Sequence, residues 1–212
     1  MSLLSEENRI AIEAAIKKAE AGTSGEIVFV TADASANYQH ATLQGAIIGM
    51  AAATAVFLML PIVHTTTGLL WTEFLSFAIF YTLLPRLPWR RWIISKQEMD
   101  ARVHEAAFMQ FYSSGLFRTR ESSGVEIYLS LLERKVVVLG DRGIHEKMGD
   151  QHWQNVRDQI ILGIKNGEAS RGICAAIESC GKALAEHFPH RADDVNELPD
   201  QVISRPLRPE AP

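Results

Sequence analysis

LQGAIIGMAAATAVFLMLPIVHTTTGLLWTEFLSFAIFYTLLP, Leu43–Pro85, decides how this chain must be read. From Ala41 to Pro85 the one formally charged residue is Glu73. Leu43 to Val63 holds 21 residues. At about 1.5 Å per residue it reaches roughly 31 Å, enough to cross a hydrocarbon core about 30 Å thick. Gly68 to Pro85 is slightly shorter, and only His64–Thr67 joins the two, so the helices must be antiparallel neighbours. Both are apolar on every face, and a chain of 212 residues has little other protein to wrap them. The pair reads as a transmembrane hairpin with spans at about 43–63 and 68–85. A buried soluble hairpin and one that dips into a single leaflet are the rival readings. Glu73 falls roughly 8 Å inside its span. A carboxylate there must snorkel outward, take up a proton or pair with another subunit.

Outward from the second span the sequence changes character at once. LLPRLPWRRW, Leu83–Trp92, brings in Arg86, Arg90 and Arg91, and Lys96 and Arg102 follow, whereas the connecting loop has no Lys or Arg. Basic residues beside a span are retained on the cytoplasmic side, and tryptophans prefer the two interfaces. Trp89 and Trp92 mark the basic boundary and Trp71 the opposite one. Two spans return the chain to its starting side, so both termini and everything outside residues 41–94 are expected in the cytoplasm. The opening MSLLSEENRIAIEAAIKKAEAG is acidic early and amphipathic and reads as mature protein rather than as a signal peptide. The net charge of −4 and the lack of a basic cluster beyond residues 86–102 exclude a nucleic-acid footprint. Cys174 and Cys180 are too few for a disulfide framework and read as small packing residues.

The hairpin cuts one domain in two. Residues 1–40 give a helix capped by Ser5 and ending near Glu20, then a strand, GEIVFVTA (Gly25–Ala32). One helix and one strand cannot bury a core, so they must dock on residues 95–190. That later part opens with a capping-box pattern at Ser95–Glu98 and a helix carrying Val103, Ala107, Phe108, Phe111 and Tyr112. GVEIYLSL and KVVVLG, Gly124–Leu131 and Lys135–Gly140, are joined by Leu132–Arg134 as an antiparallel hairpin. Asp150 would start a helix with Trp153, Val156, Ile160 and Ile164 inward. A last helix over about 170–187 turns Ile173, Ile177, Cys180 and Leu184 inward. Residues 191–212 carry four prolines and read as a flexible tail. The fold class is therefore α/β: a small mixed-sheet sandwich interrupted by a helical hairpin.

TSGEIVFV, GVEIYLSLLERKVVVLGDRGI and NGEASRGICAAIESCGKALAEHFP resemble the TPM domain. The family takes its name from a thylakoid lumen protein, a photosystem repair protein and a nematode receptor modulator. Glu133-Arg134-Lys135, Gly167 and Gly172-Ile173 are the closest matches, and the resemblance covers about Glu6–Ala34 and Met99–Pro189. The ending FPHRADDVNELPD is similar to that of small bacterial membrane members. The resemblance implies a compact α/β sandwich. It also implies either metal-dependent phosphatase activity or a part in assembling and maintaining membrane complexes. Family members are commonly exported, whereas this hairpin is internal.

Among chemistry-bearing residues GDRGIHE, Gly140–Glu146, is the best local candidate. Asp141 ends a strand, where loops of α/β sheets bind ligands, and its oxygens suit Mg²⁺ or Ca²⁺. A plain turn explains the same residues. His145 is a neighbour of interest, while Glu133 belongs at the far end of the hairpin strand. Asp193, Asp194, Asn196 and Glu197 read as a solvated acidic tail rather than a cation site. Glu26 and Glu126 open their strands and are expected to face solvent. The seven histidines show no zinc-ligand spacing, and no catalytic residue is assigned. The expected partners are the bilayer, another membrane protein, for which Gly45, Gly49 and Ala51–Ala53 offer small packing residues, and further copies of the chain in a homo-oligomer. The leading expectation is a binding or assembly module, with a metal-assisted phosphatase as the alternative.

Overall fold

Every residue of the strand Ile27–Ala32 is buried, a pattern only a central strand covered on both faces produces. The computed structural model describes residues 5–61, 65–86, 91–191, 193 and 197–206. They divide into two units, one from residues 5–35 and 101–206 and one from residues 36–100.

The first unit is built on a four-stranded sheet of order β3-β2-β1-β4, with β1 Ile27–Ala32, β2 Val125–Ser130, β3 Lys135–Gly140 and β4 Ile203–Arg205. β1 runs parallel to both β2 and β4, and β2 pairs antiparallel with β3. The period of two along each strand separates two cores. Ile27, Phe29, Val125, Ile127, Leu129 and Val136 meet Ile12 and Ile16 of α1 (Glu6–Glu20), together with α5 (Arg142–Lys165) and α6 (Ala169–His187). Val28, Val30, Ala32, Tyr128 and Val137 meet Val103, Ala107 and Phe111 of α4 (Lys96–Ser113). Helices thus cover both faces, as the parallel β1–β2 crossover demands.

The local signals explain these elements. The Ser5 side chain accepts from the Asn8 amide, with Glu6 and Glu7 in the first turn and Lys17 and Lys18 in the last. This complements the helix dipole at both ends. Ser95 caps α4 through the Glu98 amide at 3.1 Å, but the Glu98 carboxylate goes to His40 Nε2 instead of closing the box. Arg134 takes φ 54° in the β2–β3 turn and Gly167 φ 77° between α5 and α6.

Two expectations are corrected. α5 starts eight residues before Asp150, at Arg142, and is broken at Gly149 (φ 70°, ψ 167°). Trp153, Val156 and Ile160 are buried within it, but Ile164 is 37% exposed. The stretch read as a flexible tail supplies β4, in register Val30↔Ile203 to Ala32↔Arg205. Tail amides also dock on carboxylates, Glu197 N donating to Glu26 Oε1 and Val202 N to Glu13 Oε1. On α4, Val103, Ala107 and Phe111 are buried, while Phe108 and Tyr112 are exposed.

The second unit holds α2 (Gln39–Met59) and α3 (Thr66–Leu83), the latter capped by Thr65 and extended by a 3₁₀ turn, Leu84–Arg86. Both are long and apolar enough to cross a membrane, with mean hydropathy 1.7 and 1.4. Only 22% and 11% of their apolar windows are buried. Gly45 and Gly49, one turn apart, form the seam of the pair. A Cβ on Gly49 would stand 2.4 Å from the Phe80 ring, and one on Gly45 2.2 Å from Leu84. The small residues expected to serve another membrane protein are thus partly spent inside the hairpin, leaving Ala51 and Ala52 exposed.

Candidate functional site

The carboxyl ends of parallel strands are where α/β sheets usually bind ligands, and here they carry a polar cluster. Ser35 follows β1, Ser130 ends β2, and Glu133 lies in the turn to β3. The Ser35 amide donates to Glu133 Oε1 at 2.9 Å. Its hydroxyl donates to Ser130 Oγ at 2.9 Å and lies 3.3 Å from the Tyr128 hydroxyl. Ser130 in turn donates to Glu133 Oε2. Glu133 is 2% exposed, and burial pushes the Tyr128 phenol up from its ordinary value. Its donors and acceptors face one another, so the arrangement works as a clasp. It holds the chain at the point where it leaves the sheet for the hairpin.

Two residues along β2 from Tyr128 stands Glu126, fully buried, with neither carboxylate oxygen hydrogen-bonded. Burial pushes its carboxyl up to about 8, against a pull from the Arg205 charge. The expectation that Glu126 and Glu26 face solvent is overturned, since Glu26 is 7% exposed. On the face that simple alternation would assign to water, α4 packs over Val28, Val30 and Tyr128, and the tail amide of Glu197 docks on Glu26. Near the other end of β1, Glu20 Oε1 accepts from the Ile27 amide at 2.7 Å. Burial, reinforced by the charges of Glu26 and Asp200, pushes its carboxyl up to about 9.

Asp141 caps the helix that follows β3, its Oδ1 accepting from the Arg142 amide at 2.7 Å. Its other oxygen is buried without a hydrogen-bond partner. The neighbouring glycines serve the chain's own packing. A Cβ on Gly143 would lie 2.7 Å from the Glu121 carbonyl oxygen, and one on Gly140 2.8 Å from the Trp153 ring. Among the described residues no group of three or more His, Cys, Asp or Glu could hold a metal ion. Mg²⁺ or Ca²⁺ needs six or more oxygens, of which Asp141 brings a single free one. Glu133 is separated from Asp141 by the length of β3, as the sequence implied. Arg142 pairs with Glu146 at 2.9 Å.

Of the boundary residues, Arg86 ends the 3₁₀ turn and donates to the Thr82 carbonyl. Arg91 and Trp92 lie in the next turn, Trp92 being 86% exposed. Trp71 is 57% exposed and meets Phe74 edge-on at 6.1 Å. Trp89 and Arg90 lie outside the described residues, as do Asp194 and Asn196; Asp193 pairs with Arg120 at 3.0 Å. Cys180 is in the core, where burial pushes its thiol up to about 12, and Cys174 packs beside Ala11. A groove of about 460 Å³ runs between α1 and α6, lined by Ala11, Ala15, Ala19 and Gly181 with Lys18 and Lys182 among its polar residues.

Together these features define an α/β domain with an internally satisfied clasp and an inserted pair of apolar helices. A sequence model of the TPM domain matches residues 92–183. Among solved structures the chain is similar to the NMR structure of BA42 protein from the psychrophilic bacterium Bizionia argentinensis. That likeness has 23% identity, covers 96% of each chain and gives a TM-score of 0.59; it speaks for the fold. No curated protein matches the chain.

Proposed function

We propose that this protein is a membrane-anchored TPM module that binds membrane proteins and helps assemble or maintain their complexes, from the cytoplasmic side. The observation that carries the reading is the exposure of large apolar side chains along both inserted helices. Ile48 is 63% exposed, Val56 60% and Phe74 64%. Such a surface needs lipid around it. The placement of Arg86 and Arg91 after the second helix supports a cytoplasmic domain. The polar groups of the domain also favour binding over catalysis, since Glu133 is consumed in the clasp and Asp141 in a helix cap.

Topology is tested with single cysteines at Thr66 and Gln201, Cys174 and Cys180 having been replaced. Intact cells are treated with a membrane-impermeant thiol reagent. Labelling at 66 and protection at 201 is the expected result. Labelling at 201 would place the domain outside, and release of the protein from membranes by alkaline carbonate would end the anchoring reading. The second reading, a Mg²⁺- or Ca²⁺-dependent phosphatase, has in its favour the unpartnered oxygen of Asp141 and the family resemblance. Hydrolysis of a generic phosphate ester by the full-length protein, abolished by chelator and by Asp141→Asn, would establish it. No hydrolysis with either metal would leave the binding module.

A further inference from the structure

Among the described residues of the α/β unit, most of the exposed large apolar side chains lie on α4 and the turn after it. Met109 is 67% exposed, Tyr112 60%, Phe108 52% and Phe117 41%. Phe108 and Tyr112 are one turn apart and share a face. Tyr112 and Phe117 meet with ring centroids 5.2 Å apart, and the Arg118 guanidinium lies 5.1 Å from the Phe117 centroid. The three rings alone expose about 300 Å² at roughly 200 Å² per side chain. Patches of that size on a folded domain commonly mark an interaction site. The remaining exposed large apolar residues of the domain, Ile10, Leu162 and Ile164, fall on α1 and α5.

We infer that this face of α4 is a second membrane contact, seated in the headgroup region of the bilayer that holds the hairpin. The inference rests on the anchoring reading above. The chain itself supplies the proximity, since α4 begins ten positions after Arg86. Ten residues span at most about 36 Å. The face begins 12 residues into α4, roughly 18 Å further at 1.5 Å per residue, so the tether holds it near the lipid surface at high effective concentration. Its chemistry is interfacial: rings, a thioether and a phenol on one side of a helix, with a guanidinium over the outermost ring. The surrounding charge also suits an anionic surface. Arg86, Arg91, Lys96 and Arg118 are basic, Arg102 is paired with Glu105, and Glu98 lies against His40. Asp100 is the third acidic residue on α4. A protein partner would need to compete with a surface that never leaves.

The test uses the full chain with Cys174→Ser, reconstituted into vesicles of phosphatidylcholine and phosphatidylglycerol. An environment-sensitive fluorophore is placed by Met109→Cys, by Leu75→Cys on α3, or by Gln154→Cys on the opposite side of the sheet. Lipids spin-labelled near the headgroup should remove about half of the emission at 109 and little at 154, as for a helix lying in the interface. Phe108→Ser with Tyr112→Ser should bring quenching at 109 down to the level at 154. Quenching within the bilayer at 75 but none at 109 would overturn this inference and leave the anchor standing. No lipid quenching at 75 would overturn both. A probe at 109 shielded from lipid and from aqueous iodide alike would show a protein, such as a second copy, on this face, and would also overturn it.

Discussion

Glu126 is a carboxyl group that the fold keeps dry. With no hydrogen bond to either oxygen and burial driving its carboxyl from the ordinary 4.5 to about 8, the native protein holds a proton there that the unfolded chain has lost by neutral pH. Glu20, pushed to about 9, behaves alike. Stability changes with pH in proportion to the protons bound by the unfolded state minus those bound by the native state, and here that difference is negative. The contribution of these groups is therefore fully present below about pH 4.5 and is lost as pH rises through 8 to 9. Thermal unfolding in detergent should show the protein losing stability over that range. Glu126→Gln, which cannot ionise, should flatten the curve and be the more stable form at pH 9. A parallel shift of the whole curve would show that Glu126 is not protonated in the fold. At Glu133, by contrast, both side-chain oxygens accept hydrogen bonds. Glu133→Ala leaves the Ser35 amide and Ser130 hydroxyl without their acceptor, and should cost on the order of 2–3 kcal/mol in the same measurement.

Where elements cross, single atoms decide the distance. A Cβ built on Gly172 of α6 would lie 2.8 Å from the Gly163 Cα of α5, a backbone atom that cannot swing aside. Gly172→Ala should therefore destabilise by about 1–3 kcal/mol, whereas Gly22→Ala, with nothing within 4 Å, should be close to neutral. Equal effects in thermal unfolding would refute the close crossing. Much of this layer was legible from sequence. The two apolar helices, the β2–β3 hairpin and the inward stripe of α6 all follow from period and spacing, because each pattern is local. What escaped depended on partners distant in sequence. VEIYLS alternates, so Glu126, Tyr128 and Ser130 read as a wet face until the β1–β2 pairing is known to be parallel, with α4 laid across it. β4 is three residues long and owes its existence to the free edge of β1. The first turns of α5 were hidden by glycines at 143 and 149, which are there for close contact and for a break. Of the candidate site, the position of Asp141 at the end of β3 was legible, but its use as a helix cap was not. The clasp had no local signature, since Ser35 and Glu133 are nearly a hundred residues apart.

At the scale of the molecule, the order of the chain and the order of the sheet disagree in a useful way. β1 comes from the first thirty-five residues, yet it lies between β2 and β4 from the later part. Neither part can close the sheet alone, so the hairpin is held by the structure it interrupts, and the Ser35–Glu133 clasp sits where the chain departs. If this account is right, the hairpin is an insertion and not a structural member of the α/β unit. Joining Ser35 to Ser95 through a Gly/Ser linker removes both spans while keeping β1, the cap of α4 and the tail strand. The product should be folded, with an α/β circular-dichroism spectrum and one cooperative unfolding transition. The same chain without residues 5–35 should not fold, since β2 and β4 would each face an empty place where β1 belongs and Ile12, Ile16, Ile27 and Phe29 would be missing from the core. A folded protein from the later part alone would mean that β1 is dispensable. An unfolded linked chain would mean that the spans stabilise the domain as well as anchor it. Cooperative unfolding of the linked form, set beside loss of structure in the shorter one, is the pair of results that a divided domain requires.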